Sequence, residues 1–351
     1  MNRPPVSPPL VLQTPGFAHY SLSWSPFHNS RLAVASAANY GLVGNGRLHL
    51  ALIGPAPGVA PGFSLDKFYD TQDGLYDVAW SEIHENQLVT GSGDGSIKLW
   101  DVMLNDLPIR AWQEHTREVF SVDWSNISKD IFLSSSWDGT VKIWSPERPR
   151  SVSTLQAHMS CVYQALFSPH QPDIIASCST DGTLKIFDLR SPAYTQGPNA
   201  NAFTNPLSAA ALTVPASGTE LLSIDWNKYR PFVLASAGVD KMIRVWDCRM
   251  VKSNPDPNQQ AVGGVCETQF VGHEYAVRKV QWSPHHPDLL ASASYDMTCR
   301  VWSTTPSPNG TNLVYIHDSH TEFVVGCAWS LYEEGVLASC SWDCRVNVFH
   351  I

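Results

Sequence analysis

Short apolar runs alternate with small polar turns along almost the whole chain. The stretch Ile131 to Trp144, IFLSSSWDGTVKIW, shows the unit. Ile131 to Ser135 reads as a strand. Trp137-Asp138-Gly139 reads as a turn, since Asp bonds its own backbone and Gly tolerates positive φ. From Thr140 to Trp144 the residues alternate, with Val141 and Ile143 expected inward against Thr140, Lys142 and Trp144. The pattern predicts a β-hairpin.

The hairpin recurs. Its turn Asp returns at Asp94, Asp138, Asp181, Asp240, Asp296 and Asp343. A hydroxyl precedes each at fixed spacing: Thr90, Ser134, Ser177, Ser236, Ser292, Ser339. An aromatic follows each: Trp100, Trp144, Phe187, Trp246, Trp302, Phe349. A further aromatic marks the preceding strand at Trp24, Trp80, Trp124, Phe167, Trp226, Trp282 and Trp329, which makes seven units. The spacing from Trp80 through Phe167 matches the roughly 40–45-residue period of a four-stranded propeller blade. Wider spacings elsewhere call for insertions, expected at about 191–219 and 250–268.

The first unit departs from the pattern. Ser36 is the expected hydroxyl, but Tyr40 stands where Asp belongs, in a longer turn reading NYGLVGNG. A phosphate-binding loop is disfavoured, because no Lys-Ser/Thr follows and no helix begins there. A wide turn with positive-φ glycines is the better reading.

These residues resemble the WD-repeat family over nearly the whole chain. The resemblance implies an all-β, seven-bladed propeller, with residues 10–351 as one domain after a flexible Pro-rich segment, 1–9. It also implies ring closure by an N-terminal strand, for which Leu10 to Gln13 is the candidate, because the last unit stops one strand short at Phe349. In the family a His before the first strand joins the turn Asp, the hydroxyl and the indole in a buried network. His115, His158, His273 and His320 fit that place beside Asp94, Asp138, Asp181, Asp240, Asp296 and Asp343.

Composition narrows the function. The 351 residues are 43% hydrophobic and carry a net charge of −9. That charge argues against nucleic acid as a partner and suits a ligand with a basic element. The eight cysteines form no CxxC pair, so reduced thiols fit best. No secretory signal or membrane span is visible. Asp-His-Ser sets recur unit after unit, which marks a structural network rather than a catalytic triad, so no enzyme and no cofactor is expected. His285-His286 and Cys340 with Cys344 complete no metal-ligand pattern.

Within the family the chain is similar to the receptors for type-2 peroxisomal targeting signals, the peroxin-7 family. The likeness lies in NYGLVGNGRL, YDVAWSEIHENQ, SSSWDGTVKIWSP, NKYRPFVLASAGVD and VRKVQWSPHHPDLLASASYDMTCRVW. It implies a cytoplasmic receptor that shuttles to the peroxisomal matrix. Its partners would be cargo with an N-terminal helical signal (thiolase-like proteins), a co-receptor, and docking proteins of the peroxisomal membrane.

A propeller binds at its faces. The face of the Asp turns collects Tyr40, Trp137, Tyr163, Tyr295 and Trp342, with Asp73, Glu118 and Glu220 near them. Tyr20, Tyr76, Phe120, Arg278 and Phe323 lead into the first strands beside them. An amphipathic signal helix with a basic residue needs an apolar trough and a carboxylate. Asp73 and Glu118 are the expected cation partners, flanked by Tyr40, Trp137, Tyr163 and Trp342. The rival is a substrate adaptor of a cullin-4-type ubiquitin ligase, since Trp246-Asp247-Cys248-Arg249 matches a WDxR motif and Phe187-Asp188-Leu189-Arg190 nearly does. Strand-end chemistry, with Arg pairing a neighbouring blade, explains these four residues more simply.

Overall fold

Alternating apolar strands and tight turns fold into four-stranded antiparallel blades. The computed structural model describes residues 8–55, 61–105, 107–190, 208–252 and 262–351. Among them, seven four-stranded units follow one another, here blades 1 to 7. Their first strands are Phe17–Trp24, Leu75–Trp80, Val119–Trp124, Val162–Phe167, Leu221–Trp226, Val277–Trp282 and Val324–Trp329. Each first strand touches the next around the axis, and the first strand of blade 7 returns to that of blade 1. The ring is therefore closed. Its last sheet is completed by Leu10–Gln13, which pairs antiparallel with Arg345–His350 from Leu10↔Val348 to Gln13↔Arg345. Leu12 is buried in that seam with Leu22, Val325 and Val346.

Both expected insertions carry strand at their ends. Leu212–Pro215 is the outer strand of blade 4, and Val262–Phe270 that of blade 5. One parallel bridge, Thr213↔Val262, joins the two blades into an eight-stranded sheet. Residues 191–207 and 253–261 lie outside the described residues, as do 1–7 of the Pro-rich segment.

Apolar side chains pack between blades rather than on one side of a sheet. Leu133, Val141 and Ile143 of blade 3 meet Val162, Ala165 and Phe167 of blade 4. The third strand of blade 3, Thr140–Trp144, is therefore buried on both faces: Trp144 is 0% and even Lys142 only 9% exposed. The expected outward face does not exist there, because a neighbouring blade covers it.

The polar network is complete in two blades. In blade 3 the Trp144 indole N–H donates to Ser134 Oγ (2.8 Å), Ser134 meets His115 Nε2 (2.7 Å), and His115 Nδ1 meets Asp138 Oδ2 (2.9 Å). Blade 6 repeats this through Trp302, Ser292, His273 and Asp296. Burial holds these imidazoles below their ordinary pKa, so they are neutral. Because the carboxylate can only accept, Nδ1 carries the proton. Burial works against the Asp138 carboxylate, yet the hydrogen bonds from His115 and Thr140 hold its pKa well down. Blades 4 and 7 keep His158–Asp181 (2.8 Å) and His320–Asp343 (2.9 Å), with Phe187 and Phe349 replacing the indole.

Two of the expected members stand outside such chains. Asp94 caps the N–H of Ser96 (2.8 Å) and pairs with Lys98 (3.7 Å), since Thr71 occupies the place of the His. Asp240 takes Arg244 Nη1 (2.6 Å) and Ser217 Oγ (2.9 Å) in place of an imidazole.

Candidate functional site

One irregularity repeats in all seven first strands. The pairing register breaks at Tyr20, Tyr76, Phe120, Tyr163, Leu222, Arg278 and Val325, each skipped between two paired neighbours. A bulge re-aims the extra side chain. Here it turns six of the seven into the mouth of the axial channel on the face of the Asp turns.

Aromatic rings form a continuous arc over that mouth. Tyr163 meets Trp137 edge-on (5.5 Å between centroids), and Trp137 stacks on Phe120 at 4.4 Å and 3°. Phe120 stacks on Tyr76 (4.5 Å), which meets Tyr20 (5.0 Å). Tyr20 leads to Trp342 (5.7 Å), then Phe323 (5.3 Å) and Tyr295 (4.9 Å). Tyr20 and Tyr76 are buried and plug the channel, while the other six are half-buried and show surface to solvent. The indole N–H groups of Trp137 and Trp342 reach no acceptor among the described residues.

The loop of blade 1 leans on this arc. Asn39, Tyr40, Gly41 and Gly44 all have positive φ, so the wide turn uses two non-glycine residues as well as glycines. The Tyr20 hydroxyl donates to the Tyr40 carbonyl (2.6 Å), and the Tyr76 hydroxyl to that of Gly41 (3.3 Å). Tyr40 stands beside Trp342 at 5.6 Å and is 51% exposed.

Asp73 and Glu118 both act by their charge on one ring, Tyr76. Burial first, then the charges of these two carboxylates, push the Tyr76 hydroxyl up to about 12. Asp73 is half-buried, and its Oδ1 accepts the N–H of Gly74 (2.7 Å). Two glycines make its place: a Cβ on Gly46 would fall 2.3 Å from the Asp73 carbonyl, and one on Gly93 2.8 Å from Asp73 Oδ1. Glu118 holds the N–H of Trp137 by its carbonyl (3.1 Å) and pairs loosely with Arg117 (3.6 Å). Arg117 also lies over the Trp137 ring at 5.5 Å.

Glu220 stands apart from that pair. It is exposed and acts on Tyr163, whose hydroxyl burial raises to about 12, with Arg278 opposing and Glu220 adding. Arg278 was not among the expected site residues. Its guanidinium lies against Phe120 (5.9 Å) and Tyr163 (5.5 Å). Its bulge position, the same as that of the tyrosines, was the available signal.

The rival motifs are occupied locally. Arg249 gives its guanidinium donors to Asp247 of the same motif, as Arg190 does to Asp188, rather than to a neighbouring blade. His285 meets the Ser330 carbonyl (3.0 Å) and His286 meets Glu334 (2.6 Å). No helix among the described residues is long and apolar enough to cross a membrane.

The WD domain, G-beta repeat profile matches residues 63–101, 107–145, 149–188, 211–247, 264–303 and 311–350. Each match runs from the outer strand of one blade through the third strand of the next, and none covers the first three strands of blade 1, whose turn departs most. The chain is 38% identical to the peroxisomal targeting signal 2 receptor of Saccharomyces cerevisiae, over 95% of this chain and 97% of that one. It is 44% identical to peroxisome biogenesis protein 7 of Arabidopsis thaliana, over 95% of both. The human peroxisomal targeting signal 2 receptor is 37% identical over 90% of this chain and 87% of its own. The chain belongs to this receptor family of WD-repeat propellers.

Proposed function

We propose that this chain is an import receptor that binds the N-terminal type-2 signal helix of peroxisomal cargo on the aromatic face. With a co-receptor and docking proteins at the peroxisomal membrane, it delivers that cargo from the cytoplasm to the matrix. What supports this site is that the charges of Asp73 and Glu118 both act on Tyr76, a ring of the aromatic arc. An amphipathic helix lays its apolar side on Trp137, Tyr163, Tyr295 and Trp342, with Tyr40 at its flank, and brings its basic residue to the two carboxylates. Charge-assisted bonds of this kind are worth roughly 1.5–3 kcal/mol each. Arg117 already sits near Glu118, but their side chains are 50% and 33% exposed. Such a surface pair contributes about 0–1 kcal/mol, so displacing it costs little.

The test is fluorescence anisotropy with a labelled signal peptide. Glu118→Lys should abolish binding while the unfolding midpoint stays near that of the parent protein. Reversing the basic residue of the peptide to Glu should do the same. Unchanged affinity in either experiment would overturn the assignment.

A further inference from the structure

The other end of the axial channel is open. Loops between the first and second strands turn there, each held by a side-chain cap: Ser81 Oγ accepts the N–H of His84 (3.1 Å), and Ser125 Oγ that of Ser128 (3.1 Å). The cap sets the next residue at the channel mouth and the one after it on the rim. Tyr332, Phe27, Ile83 and Ile127, from blades 7, 1, 2 and 3 in order around the ring, are each 39–51% exposed. The Tyr332 hydroxyl, bonded to the Pro26 carbonyl at 2.5 Å, ties the first two together. They form an apolar arc on the face opposite the aromatic one.

Inside that arc lies a cavity of about 240 Å³ walled by Trp80, Trp124 and Trp329. Small-molecule pockets run from about 300 to 1,000 Å³, so this space suits one long side chain. Its charge is unbalanced. Glu82, Asp123 and Asp225 face Lys228, and Lys228 Nζ is committed to Asp225 Oδ1 at 2.8 Å. Asp123 Oδ2 accepts the Phe167 N–H (2.8 Å), which leaves its other oxygen without a hydrogen bond among the described residues. The Glu82 carboxylate likewise has no hydrogen-bond partner there, and burial raises its pKa. Burial disfavours the charged form of both Glu82 and Asp123, with Lys129 opposing at Glu82, and an incoming cation would offset that cost by pairing with the carboxylates.

We propose that this mouth is a second docking site, for an extended peptide segment of a partner protein. The segment lowers one Arg or Lys side chain to Glu82 and Asp123. Its apolar neighbours lie on Phe27, Ile83, Ile127 and Tyr332. The site is separate from the signal-binding face, so the two can be occupied at once.

The experiment uses the full chain and two fluorescein-labelled hexapeptides, Gly-Leu-Arg-Leu-Gly-Gly and its Arg-to-Gln twin. The Arg peptide should bind at least tenfold more tightly than the twin. Glu82→Gln should erase that difference, and Ile83→Ser should weaken both. Glu118→Lys, which tests the signal-binding face, should leave the Arg peptide bound as before. Equal affinity for the twins, absence of saturable binding, or displacement by excess signal peptide would each overturn the proposal.

Discussion

Asp77 of blade 2 accepts the backbone N–H of Val122 in blade 3 at 2.9 Å. The same clasp recurs between other first strands: Asp123 to Phe167, Gln164 to Ile224, Asp225 to Trp282 and Gln281 to Trp329. First strands of neighbouring blades do not pair with one another, so their inward N–H groups need side-chain acceptors. Asp77→Ala would leave a buried donor unpaired and should cost roughly 1–3 kcal/mol. Asp77→Asn, which keeps an accepting oxygen, should cost less. Urea unfolding of both variants checks the order.

Ser134 and Ser177 hold equivalent places with different loads. Ser134 bonds both His115 and the Trp144 indole, whereas Ser177 bonds His158 and faces Phe187. Ser134→Ala strands two buried partners and Ser177→Ala one. The first should therefore be more destabilising by about 1 kcal/mol, measured by chemical denaturation. Equal losses would show that the indole bond contributes nothing net.

Phe120 is sandwiched between Tyr76 and Trp137. Phe120→Ala should open a gap in the arc and weaken signal-peptide binding about tenfold or more, with the ring still folded. Tyr76→Phe keeps the stack and loses only a long bond to the Gly41 carbonyl, so it should bind nearly as the parent does. Anisotropy titrations of the two variants decide this.

Acid should loosen the ring at its closing seam. His19 meets Thr14 Oγ1 (2.6 Å) and the Arg345 carbonyl (3.2 Å), beside the strand that completes blade 7. Burial holds its pKa down from 6.5 to about 4, against the Arg345 bond and the Asp343 charge. Between those values the unfolded chain takes up a proton that the folded chain refuses, so stability falls as pH falls through the window. Burial acts oppositely on Asp123, raised from 3.8 to about 7, where the folded chain keeps the proton and stability falls as pH rises. His19→Gln should flatten the loss between pH 6.5 and about 4, and Asp123→Asn the opposite slope. Urea midpoints measured against pH separate them.

Removing residues 1–13 would strip the outer strand from blade 7 and bare the edge from Arg345 to Val348. An unpaired edge invites pairing between chains. The truncated protein should aggregate and unfold at lower temperature, as light scattering during a thermal ramp would show.

The repeat was legible in the sequence because its chemistry is local. A turn Asp, a hydroxyl four residues before it and an aromatic six after it fix six hairpins through near neighbours, and with a seventh first-strand aromatic at Trp24 they leave little choice but a ring. The closing strand Leu10–Gln13 was legible too, because the last unit was one strand short. The aromatic residues on the face of the Asp turns could be named from their offsets. Which of them stack, which plug the channel and which stay open could not.

Those matters depend on contacts between blades, where no sequence spacing operates. The bulge at Phe120 turns its ring toward Tyr76 and Trp137, and glycines at 46 and 93 make room for Asp73 only because two blades approach there. Trp144 and Lys142 are buried because a neighbour covers a strand face that reads as open. Asp94 and Asp240 carry the same turn signature as Asp138, yet whether an imidazole reaches them is set by residues Thr71 and Ser217, far along the chain. By itself the sequence determined the blades, their number and their order. The tertiary structure decided how they touch, since packing and polar pairing across a gap are properties of two surfaces at once.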